Sequence, residues 1–183
     1  MVSSEGERRD RFESVVAEVY DPLQRYLRRR TSGEDASDAL ADVLLTVWRR
    51  LDEVPEEAVL PWSYGVARRT LANQRRSAAR HLRLVSRLET ERPVVVDDPA
   101  DSLEDPELAT ALATLPLADQ EVLRLWAWEQ LEPREIALAL GSTANAVSLR
   151  LSRARNKLAD ALTRQDPSGS GHIGDESAEE NQR

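Results

Sequence analysis

The chain has no cysteine, two histidines far apart (His81 and His172) and an aromatic content of 4% in 183 residues. Without cysteine there is neither a disulfide framework nor a thiolate zinc site. The separated histidines offer no imidazole cluster, so no metal or other cofactor is expected. No apolar run approaches the length of a membrane span, and the opening MVSSEGERRDRF lacks the apolar core of a signal peptide. A soluble, cytoplasmic chain with no membrane insertion is the expectation. So few aromatics argue against a large β-rich core, whereas abundant Ala, Leu, Arg and Glu favour helices. The length allows one ordinary domain or two small ones.

What is present is charge sorted by segment. The formal net charge is −8, which taken alone speaks against nucleic acid. Residues 31–60 carry −6, residues 61–87 carry seven arginines and no acid, residues 88–110 carry −7, and residues 133–165 carry +4. Two basic surfaces therefore alternate with acidic ones. Local basic patches can hold phosphates while the remaining acids limit indiscriminate association.

Residues 132–158, EPREIALALGSTANAVSLRLSRARNKL, read as two short helices around a tight turn. Pro133 suits a first helical turn, Gly141 is a left-handed stop, and Thr143 caps a second helix through its hydroxyl. Val147, Leu151, Ala154 and Leu158 form that helix's buried stripe. Asn145, Ser148, Arg150, Arg153, Arg155 and Lys157 lie away from it. This is the sequence form of a helix-turn-helix, whose second helix enters the DNA major groove.

The periodicity predicts further helices over 8–30, 35–51 and from about 61 to 88, with Pro22 kinking or interrupting the first. Phe12, Val15, Val16, Val19, Leu23 and Leu27 form the inner stripe of the first helix. Ala36, Leu40, Val43, Leu44 and Val47 form that of the second. Residues 89–106, with three prolines and seven acids among eight charged groups, read as a linker. Fully extended it reaches about 60 Å, or about 18 base pairs at ~3.4 Å each. The expected division is a domain over 8–88, an acidic linker over 89–106, a helix-turn-helix domain over 107–165 and a disordered tail over 166–183.

Three blocks resemble the group IV (extracytoplasmic-function) sigma factors, the promoter-recognition subunits of bacterial RNA polymerase. DASDALADVLLTVWRRL (35–51) is similar to the family's helix that docks on the polymerase clamp. WSYGVARRTLANQRRS (62–77) is similar to the helix that captures the melted −10 element. LPLADQEVLRLWAWEQLEPREIALALGSTANAVSLRLSRARNKL (115–158) is similar to the −35-binding domain. The blocks stand in the family's order around an acidic linker, and with their flanking helices they cover about 10–162. There are departures: Ala41 and Asp42 replace the usual glutamine and glutamate, Gln130 stands where a turn commonly has glycine, and Ser148 and Leu149 occupy positions often held by lysine and serine. The chain also leaves no room for the extra domains of housekeeping sigma factors.

The resemblance implies an all-α fold of two small helical domains, sigma-2-like and sigma-4-like, joined by the acidic linker. It implies core RNA polymerase and promoter DNA as partners, and an anti-sigma factor as a further candidate because the family is commonly held by one. The core-polymerase set is Asp35, Asp38, Asp42, Trp48 and Arg49, with Trp48 serving equally well as a core residue. The −10 set is Trp62, Tyr64, Arg68, Arg69, Asn73, Arg75, Arg76 and Arg80. There arginines track a single strand and flat side chains stack on its bases; packing against the first helix is the other reading of Trp62. The −35 set is Thr143, Ala144, Asn145, Ser148, Leu149, Arg150, Arg153 and Arg155. Asn145 can pair with adenine and Leu149 can touch a thymine methyl, while the arginines hold phosphates and set register. Trp126 and Trp128, two residues apart, cannot both face one core. Asp97, Asp98, Asp101, Glu104 and Asp105 of the linker either mimic nucleic acid in the polymerase RNA path or form a solvated spacer.

No enzymatic activity is expected. Asp38 and Asp42 share a helix face, but no nucleophile, histidine or metal ligand accompanies them. Two other readings stay open on sequence alone: a stand-alone helix-turn-helix regulator that binds duplex DNA without polymerase, and a helical adaptor using 35–51 to bind a protein.

Overall fold

In the computed structural model, residues 2–86 and 105–165 are described; their regular elements are all helices joined by short turns, with no strand among them. Helices α1 (Val2–Arg28), α2 (Gly33–Arg49) and α3 (Val59–Ser86) form one unit, and α4 (Pro106–Ala113), α5 (Leu117–Ala127), α6 (Pro133–Leu140) and α7 (Ala144–Gln165) form a second. The linker carboxylates Asp97, Asp98, Asp101 and Glu104, and the tail 166–183, lie outside the described residues.

The first unit is built on the expected apolar stripes. Val15, Val19, Leu23 and Leu27 of α1 are buried with Ala36, Leu40, Val43 and Val47 of α2, and α3 closes the bundle with Val66, Ala67 and Leu71. Two details narrow the expectation. Pro22 lies inside a continuous α1 and does not interrupt it. Its absent N–H leaves the carbonyl of Glu18 without a helical partner, but Glu18 is exposed and water can serve that oxygen. Leu51 belongs to a short 3-10 turn, Leu51–Glu53, after α2 has ended at Arg49. Ser32 starts α2, its hydroxyl accepting from the Asp35 amide and donating to the Asp35 carboxylate at 2.7 Å.

The second unit is organised by its caps. Pro106 is the first residue of α4, and Asp105 accepts from the amides of Glu107 (2.9 Å) and Leu108 (3.1 Å). The expected linker therefore ends two residues early, and Asp105 is a helix cap worth about 1 kcal/mol rather than a free linker carboxylate. Gln130 turns the chain at φ 55°, and Leu131 donates back to the Leu125 carbonyl at 3.1 Å. Gly141 ends α6 in the left-handed region (φ 65°, ψ 44°). Thr143 then accepts from the Ala146 amide at 3.2 Å and opens α7.

The units are packed together rather than held apart on a tether. α3 lies along α6, close enough that a Cβ on Gly65 would stand 3.0 Å from the Ala139 carbonyl oxygen. Tyr26 of α1 rests on Tyr64 of α3 with ring centres 5.0 Å apart, and its hydroxyl donates to Glu121 of α5 at 3.2 Å. Burial, followed by the nearby carboxylates of Glu121 and Glu129 respectively, pushes the Tyr26 and Tyr64 phenols well above their ordinary range.

Candidate functional site: three helical faces

α2 presents its acids on the side turned from the core. Asp38 and Asp42 are exposed, one helical turn apart, and neither has an ion-pair partner among the described residues. Like charges at that spacing repel, so the face is improved by an external cation. Leu45 continues the stripe and is 45% exposed, with Arg49 exposed beyond it. Sequence reading missed Leu45, although the spacing 38, 42, 45, 49 already places it on that face. Trp48 is turned the other way. It meets Phe12 edge-on at 5.0 Å and lies beneath the Arg8 guanidinium at 5.2 Å, so in this structure it packs on α1. Asp35 is engaged with Ser32 at the helix start.

The second face is the arginine side of α3. Arg69, Asn73, Arg75, Arg76 and Arg80 are exposed, and Arg68 is half-buried. The aromatic members of the expected −10 set do not stand out in solvent. Tyr64, with 3% exposure, is a core residue against Tyr26 and cannot stack on a base in this arrangement; a phenol at that helix position points into the bundle. Trp62 is half-buried against the core, and the Arg50 guanidinium sits over its ring at 5.4 Å. Arg50 is another residue the sequence reading missed, because it belongs to the end of α2. It pairs with Glu53 and stands close enough to act on Arg69, whose pKa is lowered by partial burial and by the charges of Arg50 and Arg68. Arg69, repelled by both Arg50 and Arg68, is a position that an anion would relieve. Asn73 interacts with Arg76 one turn on, and Arg75 donates to the Arg30 carbonyl at 3.2 Å.

The third face belongs to α7. Val147, Leu151 and Ala154 are buried and Leu158 is half-buried, as the spacing requires, while Thr143, Ala144, Asn145, Ser148, Leu149, Arg150, Arg153 and Arg155 are all exposed. Leu149 is 50% exposed on a helix whose other large apolar residues turn inward. The Ser148 hydroxyl donates to the Ala144 carbonyl at 2.9 Å, which leaves it free as an acceptor. Asp119 of α5 holds the other end of this face, accepting from Lys157 at 2.7 Å with Arg150 at 4.0 Å. Trp126 is 40% exposed under Arg155 (4.9 Å), whereas Trp128 is half-buried beneath arginines. No group of three or more His, Cys, Asp or Glu among the described residues is placed to hold a metal ion. Nor is any described helix long and apolar enough to cross a membrane.

Comparison with known proteins meets these faces in order. The family model for sigma-70 region 2 matches residues 15–81, which span α2 and the arginine face of α3, and that for sigma-70 region 4 matches 106–158, which spans the helix-turn-helix. A curated relative, RNA polymerase sigma factor NccH of Alcaligenes xylosoxydans xylosoxydans, is 27% identical over 136 residues, 70% of this chain and 73% of its own length. Among solved structures the fold is similar to that of the sigma factor RpoE in complex with the anti-sigma factor NepR from Bartonella quintana. That match has a TM-score of 0.61 and 21% identity, over 83% of this chain and 96% of the other. It is also similar to that of CnrH in complex with the cytosolic domain of CnrY, with a TM-score of 0.55 and 23% identity over 84% and 88% of the two chains.

Proposed function

Because this chain belongs to the sigma-70 family and is a sigma factor acting with RNA polymerase, we propose a division of labour among its three faces. The α2 face of Asp38, Asp42, Leu45 and Arg49 docks on a basic, partly apolar surface of core polymerase. The α3 face of Arg68, Arg69, Asn73, Arg75, Arg76 and Arg80, with Arg50 over Trp62 at its near end, holds the −10 strand once the duplex melts. The exposed start of α7 reads the −35 duplex through Asn145, Ser148 and Leu149, with Arg150, Arg153 and Arg155 on phosphates. The working units are α1–α3 and α4–α7, divided within 87–104.

The observation that carries this reading is the coexistence of an exposed arginine face on α3 and a fully formed helix-turn-helix in one chain. A stand-alone duplex-binding regulator needs only the second and leaves the match over 15–81 without a role. Polymerase places the chain's work in the cytoplasm. A further partner is an anti-sigma factor, by analogy with RpoE and NepR. Sigma factors direct an enzyme, and none of the three faces brings together the groups of a catalytic site.

The test is reconstitution with core polymerase on a promoter selected from genomic fragments. Arg75→Ala combined with Arg76→Ala is expected to lower open-complex formation at least tenfold more than it lowers −35 duplex binding, since cationic contacts act on the melted strand. Equal losses in both assays would refute the assignment of α3.

A further inference from the structure

The inner stripe of α1 does not stop where its apolar residues do. Toward the N-terminus, Val19, Val15 and Phe12 are followed by Arg11 and Arg8 at the same helical spacing. Both arginines turn to the end of α2. Arg8 forks, its Nη1 donating to the Asp52 carboxylate at 2.9 Å and its Nη2 to the Trp48 carbonyl at 2.8 Å. The same guanidinium lies over the Trp48 ring, which Phe12 meets edge-on. Arg11 donates through Nη2 to the Val54 carbonyl at 3.0 Å. The region 2 match begins at residue 15, so both arginines stand before the segment that it covers.

The acceptors bracket the short stretch between α2 and α3. A helix end leaves its last carbonyls without helical partners, and its negative pole favours a cation. Arg8 supplies both the donor and the charge at Trp48. Further on, the Val54 amide bonds back to the Leu51 carbonyl at 3.2 Å and the Ala58 amide to that of Pro55 at 3.3 Å. Leu51, Val54 and Val59 are buried and fix the stretch from the core side; the two arginines fix it from the α1 side. The Arg8–Asp52 ion pair contributes little to this, because Asp52 is 80% exposed and exposed pairs are weak. The carbonyl contacts carry it. Both are partly buried, and a charged donor makes the stronger hydrogen bond.

The stretch leads into the near end of the −10 face. Arg50, which opens its 3-10 turn, sits over Trp62 in the first turn of α3. The Trp62 amide closes on the Ala58 carbonyl at 3.1 Å. Asp52, Glu53, Glu56 and Glu57 are exposed along the stretch, carboxylates at the entrance to a face that receives a polyanion. Asp52 is neutralised by Arg8 and Glu53 by Arg50. Arg8 therefore holds the backbone and also cancels a negative charge at that entrance.

We propose that Arg8 and Arg11 are positioning residues for −10 recognition. From the start of α1 they brace the 51–58 turn and, through it, the placement of Arg50 and Trp62 against the melted strand. They act through the turn and not by contact with the strand. The functional half rests on the α3 assignment above; the bracing of the turn does not.

Amide hydrogen exchange in the free chain reads the bracing without DNA. Arg8→Ala and Arg11→Ala are each expected to speed exchange within 51–58 about tenfold, the effect of losing one hydrogen bond from a charged donor, and to leave the amides of α7 unchanged. Arg11→Lys keeps a donor for its single carbonyl and should restore most of the protection. Arg8→Lys cannot span two acceptors as the fork does and should restore little. With the chain bound to core polymerase, the Arg8→Ala, Arg11→Ala double variant is expected to bind a single-stranded −10 oligonucleotide about tenfold more weakly, since misplaced contacts lose effect steeply. It should also discriminate less against single-base changes in that oligonucleotide, while affinity for core and for the −35 duplex stays as in the parent. Unchanged exchange within 51–58 overturns the bracing. Faster exchange there with −10 affinity and discrimination intact overturns the positioning role. Losses that extend to core affinity and −35 binding show a general loss of structure and overturn it likewise. Failure of the α3 assignment is seen separately, as Arg75→Ala with Arg76→Ala leaving −10 binding unaltered, and it leaves the exchange result standing.

Discussion

Gln130 holds a left-handed backbone at φ 55° between α5 and α6, a conformation that costs a residue bearing a Cβ about 1–2 kcal/mol. The departure was visible in the sequence, because the family's turn commonly has glycine there, but its cost becomes assignable only with the dihedral. The Gln130 side chain is exposed, so replacing it removes strain without removing packing. Gln130→Gly is expected to raise the stability of the chain by about 0.5–1 kcal/mol, the strain relieved less the extra chain entropy glycine loses on folding. Urea unfolding measures it, and an unchanged or lower midpoint would mean that the turn is not strained. Other single residues were harder to read. Tyr64 and Trp62 carry the same aromatic signal in sequence whether they stack on a base or on a bundle. Only the position of Tyr26 across the core, 5.0 Å away, assigns Tyr64 to the interior. Leu45 was overlooked for the opposite reason, since an apolar residue near an apolar stripe is easily counted as part of it.

Elements were legible where their ends carry chemistry. Gly141 and Thr143 predict the turn of the helix-turn-helix because each supplies something the backbone requires there, a left-handed φ and an acceptor for an orphan amide. Of the two effects expected of Pro22, interruption does not occur: α1 runs on through it, anchored on both sides by Val19, Leu23 and Leu27. The orientation of α7 on α5 depends on a contact that periodicity does not encode. Asp119 and Lys157 are 38 residues apart in sequence and 2.7 Å apart in space. Asp119 is nearly buried, and a hydrogen bond to a charged group contributes about 1.5–3 kcal/mol. Asp119→Asn, which keeps shape and removes charge, is expected to lower the unfolding free energy by about 1–2 kcal/mol. It should also free Lys157 and Arg150 for phosphates, so affinity for a −35 duplex should hold or rise while stability falls. A parallel loss of duplex binding in a variant that remains folded would show instead that Asp119 aims the recognition helix.

For the whole molecule, the two units were readable and their embrace was not. Apolar stripes report what each helix buries within its own bundle, but Arg29 and Arg30, which pair with Glu129 of the second unit, look like ordinary basic residues at a helix end, and Glu129 like a polar residue before a turn. Nothing in a single sequence pairs residues about a hundred positions apart. Charge patterning, in contrast, survives at this scale and yields a quantitative expectation. The net charge of −8 would make salt favour association with DNA if the molecule behaved as a uniform polyanion, since screening would weaken the overall repulsion. The exposed guanidinium groups of Arg150, Arg153 and Arg155 on one face of α7 predict the reverse. Each phosphate neutralised releases condensed counterions, and three such contacts give a slope of about −2.7 in log affinity against log salt. Binding of the full chain with core polymerase to a −35 duplex, compared with that of each single Arg→Ala variant, separates the two pictures. Each substitution is expected to make the slope shallower by about 0.9, with base preference at the positions proposed for Asn145 and Leu149 retained, because phosphate contacts set register and base-edge contacts set sequence. A slope that none of the three substitutions changes would remove these arginines from the DNA interface and leave Asn145, Ser148 and Leu149 without the anchors proposed to hold them in the groove.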